Sequence, residues 1–304
     1  MPTRRRLTVL PALVAAAVLV SACSAGASPG STASGGAAGC APDTLQTKTA
    51  GTLTIGTDNP AYPPYFDPPG DGETAPAPWS DGIGDPTNGR GFEGAVAYAV
   101  AEQLGYATDA VNWIAVPFDN SYAPGAKEFD FYLAQVSYTD ERAQAVDMSD
   151  GYYFVNQALV ANADTDITSA GSIADLKGYT LGAAQATTAY TLITDTIQPN
   201  QDPMVYTTND DAISALEAGQ VDGIVVDLPT AFYITAAQME NGTIVGQFAG
   251  AGQPDDEHFS LVLEKDSPLT DCVNQAIGAL KDSGTLDDIT NEWLSDKADA
   301  PVLE

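Results

Sequence analysis

Four short stretches of this chain carry side chains able to hold a small charged molecule. The first, Gly56-Thr57-Asp58-Asn59-Pro60-Ala61-Tyr62, follows an apolar run. It puts an acid and an aromatic ring at the carboxyl end of an expected strand, the edge where open α/β sheets bind ligands. The second runs from Phe129 through Gln135 and Ser137 to Thr139-Asp140-Glu141-Arg142. Thr139 is placed to cap a helix, and Arg142 offers a planar fork that matches a carboxylate with two parallel hydrogen bonds. The third, Ala184-Gln185-Ala186-Thr187-Thr188-Ala189-Tyr190, reads as a strand end, a small-residue loop and a helix start. Free N–H groups there, with the hydroxyls of Thr187 and Thr188, suit an anion. The fourth, Gly223-Ile224-Val225-Val226-Asp227, ends a buried apolar strand in an acid, which either receives an ammonium or caps the helix before Leu228-Pro229. A desolvated zwitterion needs a partner at each charged end, and these stretches supply both kinds.

Enzyme chemistry finds little support. The single histidine, His258, lies in Asp255-Asp256-Glu257-His258 and reads as a solvated loop residue. A Gly-x-Ser-x-Gly string at 26–30 falls in a low-complexity segment with no strand to hold it, so it is not a hydrolase elbow. No phosphate-binding loop, complete dinucleotide fingerprint or cysteine/histidine metal spacing is present, and no cofactor or metal is expected.

The elements that must position these residues begin after an export signal. Arg4-Arg5-Arg6 precedes an apolar run, 7–20, too short to span a bilayer, and residues 1–22 read as a signal peptide. Thr3-Arg4-Arg5-Arg6-Leu7 also loosely resembles a twin-arginine signal. Val20-Ser21-Ala22-Cys23 resembles a bacterial lipobox, which makes Cys23 the expected lipid anchor and the outer face of the cell membrane the expected location. Residues 23–50 are mostly Gly, Ala, Ser and Thr and read as a flexible tether. Removal of 1–22 leaves eight basic against 41 acidic side chains, a formal net charge of −33. Such a surface repels nucleic acid and anionic head groups. Only two arginines, Arg90 and Arg142, survive the cut, which raises the weight of Arg142.

Strand-like runs then alternate with helical spacing: strands at 53–55, 111–116, 129–133, 180–184, 204–206 and 223–226, helices at 94–104, 189–196, 210–218, 270–281 and 285–294. The alternation argues for a parallel α/β architecture. Residues 67–91, rich in Pro, Gly and Asp, form a long loop between the first strand and first helix. Its acids lack the spacing of a calcium loop.

Taken in order, the four stretches resemble the polar amino-acid family of substrate-binding proteins from ABC importers. Ser137-Tyr138-Thr139-Asp140-Glu141-Arg142 with the following Ala143 to Tyr153 is the most specific piece, supported by Gly91-Phe92-Glu93-Gly94, Asp175-Leu176-Lys177-Gly178 and Asp282-Ser283-Gly284-Thr285-Leu286. The resemblance implies a two-lobed α/β fold of the type II periplasmic-binding-protein kind, with a ligand cleft between the lobes. Lobe 1 is expected at 51–155 plus 251–304 and lobe 2 at 156–250, joined by two crossing strands. It further implies a monomer that captures a free amino acid and delivers it to the importer's permease. The carboxylate clamp falls on Arg142 with Thr187 and Thr188, the ammonium acceptor on Asp227 and the aromatic walls on Tyr62 and Phe118. Asp58, Gln135, Ser137 and Ala184 complete the expected site. Another small zwitterion (an opine, a compatible solute, a short peptide) is the main alternative ligand, and an enzyme on the same fold the remoter one. Cys40 and Cys272 are read two ways: as a bridge, since the resemblance places the chain start and the last helices in one lobe, or as two separate thiols.

Overall fold

The computed structural model describes residues 39–80, 82–248, 257–294 and 300–303. The signal segment, Cys23, the string at 26–30 and residues 249–256 lie outside the described residues.

Every residue of Leu53–Thr57 (β1) is buried, as a strand covered on both faces requires. It pairs in parallel with Val111–Ala115 (β2) on one side and Phe131–Tyr132 (β3) on the other. Phe92–Gln103 (α1) makes the crossover between β1 and β2. The 67–91 loop is tied to the body: Trp79 is buried and its indole donates to the carbonyl of Asp58 at 3.1 Å. At the loop's end Gly91 has φ +87°, and a side chain there would meet the Tyr65 carbonyl at 2.5 Å, so glycine is required. Phe118–Ser121 (α2) and Asp140–Ala145 (α3) follow β2 and β3. The sheet is completed antiparallel by Val262–Leu263 and by Asp147–Met148 (β4).

Tyr153–Phe154 (β5) leads into Gln157–Asn162 (β6), which opens a second sheet. There Leu181–Ala184 (β7) lies between parallel neighbours Met204–Tyr206 (β8) and Gly223–Asp227 (β9). β6 runs antiparallel to β9 and to Gly242–Phe248 (β10). Thr188–Thr191 (α4), continued by a wider turn to Ile197, Asn209–Glu217 (α5) and Leu228–Tyr233 (α6) lie on this sheet. The parallel α/β arrangement expected from the alternation holds for β1–β3 and β7–β9, and antiparallel pairs join it. The crossing strands β6 and β10 pair antiparallel because the chain reverses direction each time it changes sheet.

His258–Phe259 (β11) pairs antiparallel with β5, Val262–Leu263 is β12, and Thr270–Asp282 (α7) and Thr285–Leu294 (α8) pack on α1. Leu53, Ile55, Phe92, Val273, Ile277 and Leu294 share one buried core. The expectation that all of 251–304 joins this first lobe needs correcting at the end of the chain. Val302–Leu303 (β13) pairs in parallel with β10, and Leu303 is buried with Val245 and Phe248 in the core of the second sheet. The physical reason is an open edge: β10 leaves a row of unpaired backbone groups that the tail covers. Gly246 makes room, since a side chain there would meet Leu303 at 2.8 Å. Cys40 and Cys272 are joined by a disulfide, Cα–Cα 5.5 Å.

Candidate functional site

The two sheets present the carboxyl ends of β1, β3, β7 and β9 to one another, and charged side chains gather there. α3 starts at the expected cap: Thr139 Oγ1 accepts from the Arg142 N–H at 3.1 Å. That start turns the Arg142 side chain inward, where it is buried. Its Nη1 donates to the Ser137 carbonyl at 2.6 Å and its Nη2 crosses to the Ala186 carbonyl in the second lobe at 2.8 Å. The guanidinium lies over the Tyr122 ring at 4.5 Å and the Phe118 ring at 5.5 Å, a stacking suited to its flat, weakly hydrated cation. Burial lowers its pKa from the ordinary value, opposed by Tyr122, Glu257 and Asp227.

Opposite Arg142, Asp227 ends β9. Its register partner on β6 is Gln157, whose Nε2 donates to Asp227 Oδ1 at 2.6 Å. Burial, followed by the negative charge of Glu257, raises the Asp227 pKa. The Gln157 hydrogen bond and Arg142 pull the other way without reversing it. Thr188 at the start of α4 faces Ser137 across the cleft, Oγ to Oγ1 3.4 Å. Both hydroxyls donate to the Glu257 carboxylate, Ser137 at 2.7 Å and Thr188 in a short bond, and Gln157 Nε2 adds a third donor at 3.1 Å. Around these groups Thr57 Oγ1, Tyr132 Oη and Gln157 Oε1 are buried with no hydrogen-bond partner among the described residues. Such atoms are scarce in folded proteins.

Further out, Tyr62 on the first lobe donates its hydroxyl to Asp210 of α5 in a short bond, and its ring lies 6.5 Å from that of Tyr233. Tyr65 Oη and Thr230 Oγ1, 3.1 Å apart, make a second contact across the cleft. Tyr62, Ile83, Asp210, Ile213, Tyr233 and Gln238 line a recess of about 350 Å³ at this mouth.

The bacterial extracellular solute-binding proteins, family 3, match residues 71–296, well over half of the chain. The chain belongs to this family. The arginine-binding extracellular protein ArtP of Bacillus subtilis is 26% identical over 211 residues, 67% of this chain and 78% of that protein. The lysine/arginine/ornithine-binding periplasmic protein of Escherichia coli is 29% identical over 190 residues, 60% of this chain and 71% of that one. Among solved structures, an ancestral arginine-binding protein bound to glutamine superposes with TM-score 0.63 at 26% identity, covering 81% of this chain and 98% of its own. The cysteine-binding protein of Campylobacter jejuni superposes with TM-score 0.64 over 82% of this chain and 92% of its own at 21% identity, a likeness of fold. The two-lobed type II periplasmic-binding-protein architecture expected from the sequence is the one these structures share.

Within this family 3 solute-binding protein, the residues expected from sequence divide in two. Phe118, Ser137, Arg142, Thr188 and Asp227 converge at the cleft. Tyr62 stands at the cleft mouth, while Asp58, Gln135, Ala184 and Thr187 are engaged in the turns around it. Gln135 holds φ 53° and turns its backbone N–H and its amide onto Glu93, a buried acid, at 2.7 Å and in a short bond. Thr187 caps α4, accepting from the Tyr190 N–H at 3.2 Å while donating to the Ala184 carbonyl at 2.8 Å. Its hydroxyl is therefore spent on the turn. Asp58 accepts from the N–H of Asn59 at 2.8 Å and, half-buried, has a pKa raised by burial. Tyr122, Gln157 and Glu257 join the cleft without having stood among the expected residues. Tyr122 stands four residues after Phe118, a spacing that puts two aromatics on one face. Gln157 is a polar residue opening the apolar run Ala158-Leu159-Val160-Ala161, and that break was a readable signal. Glu257 lies in an acidic run that reads as solvated surface.

Proposed function

We propose that this solute-binding protein captures a free amino acid between its lobes and delivers it to an ABC importer. The observation that carries the reading is the convergence of a buried arginine and two hydroxyls, Ser137 and Thr188, with an acid, Asp227, from facing sheets. A zwitterion presents a carboxylate and an ammonium a few ångströms apart, and each desolvated end finds an opposite partner here. The named ligands of the relatives, arginine, lysine and ornithine among them, support the amino-acid class. Cys23, as a lipidated residue, would tether a monomeric receptor to the outer face of the membrane, and no helix among the described residues is long and apolar enough to cross one. The reading carries binding rather than catalysis. No histidine joins the cleft cluster, and His258 stacks on the Tyr138 ring at 5.3 Å.

A thermal-shift screen against the twenty common amino acids tests it. A ligand at a hundred times its dissociation constant stabilises the fold by about 2.7 kcal/mol. A shift with one amino acid or a related group supports the proposal. A flat response to all of them, with a shift from an opine, a compatible solute or a short peptide, replaces the ligand class.

A further inference from the structure

Glu257 immediately precedes β11, and its carboxylate reaches into the cleft where a ligand's carboxylate is proposed to lie. One oxygen, Oε1, accepts from Ser137 Oγ of the first lobe and from Thr188 Oγ1 and Gln157 Nε2 of the second. Three donors converging on a single carboxylate oxygen make a built anion seat. Among the described residues, none of the ion pairs includes Glu257. Its charge is met instead by these three dipoles and, at longer range, by Arg142.

A hydroxyl has one hydrogen to give. While Ser137 and Thr188 donate to Glu257 they have none for an incoming carboxylate, so the two occupants exclude each other. We infer that Glu257 is an internal occupant of the anion seat: it bridges the lobes in the ligand-free protein, and a ligand's carboxylate must displace it. The identity of the displacing ligand rests on the amino-acid reading; the seat itself rests on the three hydrogen bonds.

The neighbouring acid fits this exchange. Gln157 Nε2 serves both Asp227 and Glu257, at 2.6 and 3.1 Å, so two carboxylates crowd one amide donor. A zwitterion that takes the seat replaces one negative charge by another and brings an ammonium to Asp227, which relieves the repulsion. An amine without a carboxylate meets the cleft with Glu257 still seated. The seated state also reduces apparent affinity, because binding is diminished by the fraction of molecules in which the seat is taken.

Glu257→Ala and Glu257→Gln in the full chain test the inference by two measurements. Without ligand, small-angle scattering is expected to give a larger radius of gyration for Glu257→Ala, since the bridge between Ser137 and Thr188 is gone. Titration calorimetry with L-arginine as probe is expected to show about tenfold tighter binding, the factor gained when a seat filled nine times in ten is emptied. Glu257→Gln, which keeps an acceptor oxygen without the charge, should fall between. An unchanged ligand-free radius overturns the inference whatever binds. Affinity equal to or weaker than that of the unaltered chain overturns it as well, since Glu257 would then be a ligand contact. If the ligand-free variant opens yet neither form binds L-arginine or any other common amino acid, the seat stands and the amino-acid reading falls.

Discussion

Arg142 Nη2 donates to the carbonyl of Ala186 at 2.8 Å, across 44 residues of sequence and from one lobe to the other. Ala186 holds φ 57°, a left-handed conformation uncommon for a residue with a side chain. One cation of the first lobe thus grips the loop of the second lobe that starts α4, and it does so beside the carboxylate seat. Domain closure in a protein of this fold brings such groups together by hinge motion.

Arg142→Lys is expected to weaken amino-acid binding strongly, by a sizeable part of the ~2–5 kcal/mol typical for loss of one partner of a desolvated charge pair. Lysine reproduces neither the fork nor the flat stacking on Tyr122 and Phe118. Arg90→Lys should change binding little. Arg90 lies in the 67–91 loop, with its ion pair to Asp67 at 3.4 Å and a short hydrogen bond to the Pro68 carbonyl. Calorimetric titrations of both variants decide the matter, and equal losses at the two arginines would sink the assignment.

Asp227→Asn is expected to remove most of the affinity for zwitterions. The amide keeps the size of the carboxyl and its bond with Gln157 in one orientation, but offers an ammonium no charge. Ligand titration at constant pH is the check. Retained affinity would move the ammonium acceptor elsewhere in the cleft.

What was legible in the sequence followed the periodicity and the strand ends. The helices at 270–281 and 285–294 read almost to the residue against Thr270–Asp282 and Thr285–Leu294, because each keeps an apolar stripe at helical spacing over three turns. Arg142 was legible through scarcity, and Thr139 through its capping chemistry. The antiparallel crossing of β6 and β10 was not, because strand direction within a sheet leaves no trace in apolar spacing. Nor was the exit of Gln135 and Thr187 from the cleft. Gln135 turns away because Glu93, buried in the first turn of α1, needs donors that only the folded chain brings to it. Glu257 was hidden for the opposite reason, since an acid among acids looks solvated until a loop carries it inward.

Glu93 predicts a pH dependence. Burial, the largest influence, lifts its carboxyl from 4.5 to about 7 against the hydrogen bonds from Tyr152 and Gln135. An acid whose folded pKa is raised binds its proton more tightly in the fold. Its stabilising contribution is therefore complete below about pH 4.5 and is lost as pH rises through about 7. The span corresponds to about 3 kcal/mol. Asp227, raised in the same direction, adds to the slope. Glu93→Gln removes the titration, although it sacrifices one of the bonds with Gln135. Denaturant unfolding at a series of pH values should show a smaller fall in stability between pH 5 and 7 for Glu93→Gln than for the unaltered chain. Parallel curves would mean that Glu93 is ionised at much lower pH than its burial implies.

The disulfide between Cys40 and Cys272 joins residues 232 apart in sequence. Cys40 lies ahead of β1 and Cys272 in the first turn of α7, so the bond pins the chain before β1 to the helix layer that packs on α1. In an oxidising compartment such a bond persists. Its effect is expected chiefly on the unfolded chain, which it closes into a loop longer than 200 residues. The chain-entropy account sets an upper bound of about 5 kcal/mol, and native-state relaxation lowers it. Thiol titration of the unfolded, unreduced chain with Cys23 lipidated should find no free thiol at a monomeric mass. Two thiols per chain would show that the cysteines stay apart. Cys272→Ala paired with Cys40→Ala should then lower the denaturant midpoint without altering amino-acid affinity, because neither cysteine lies within the cluster of Arg142, Thr188 and Asp227. A loss of affinity in that double variant, with the fold retained, would instead tie the bridge to the geometry of the cleft.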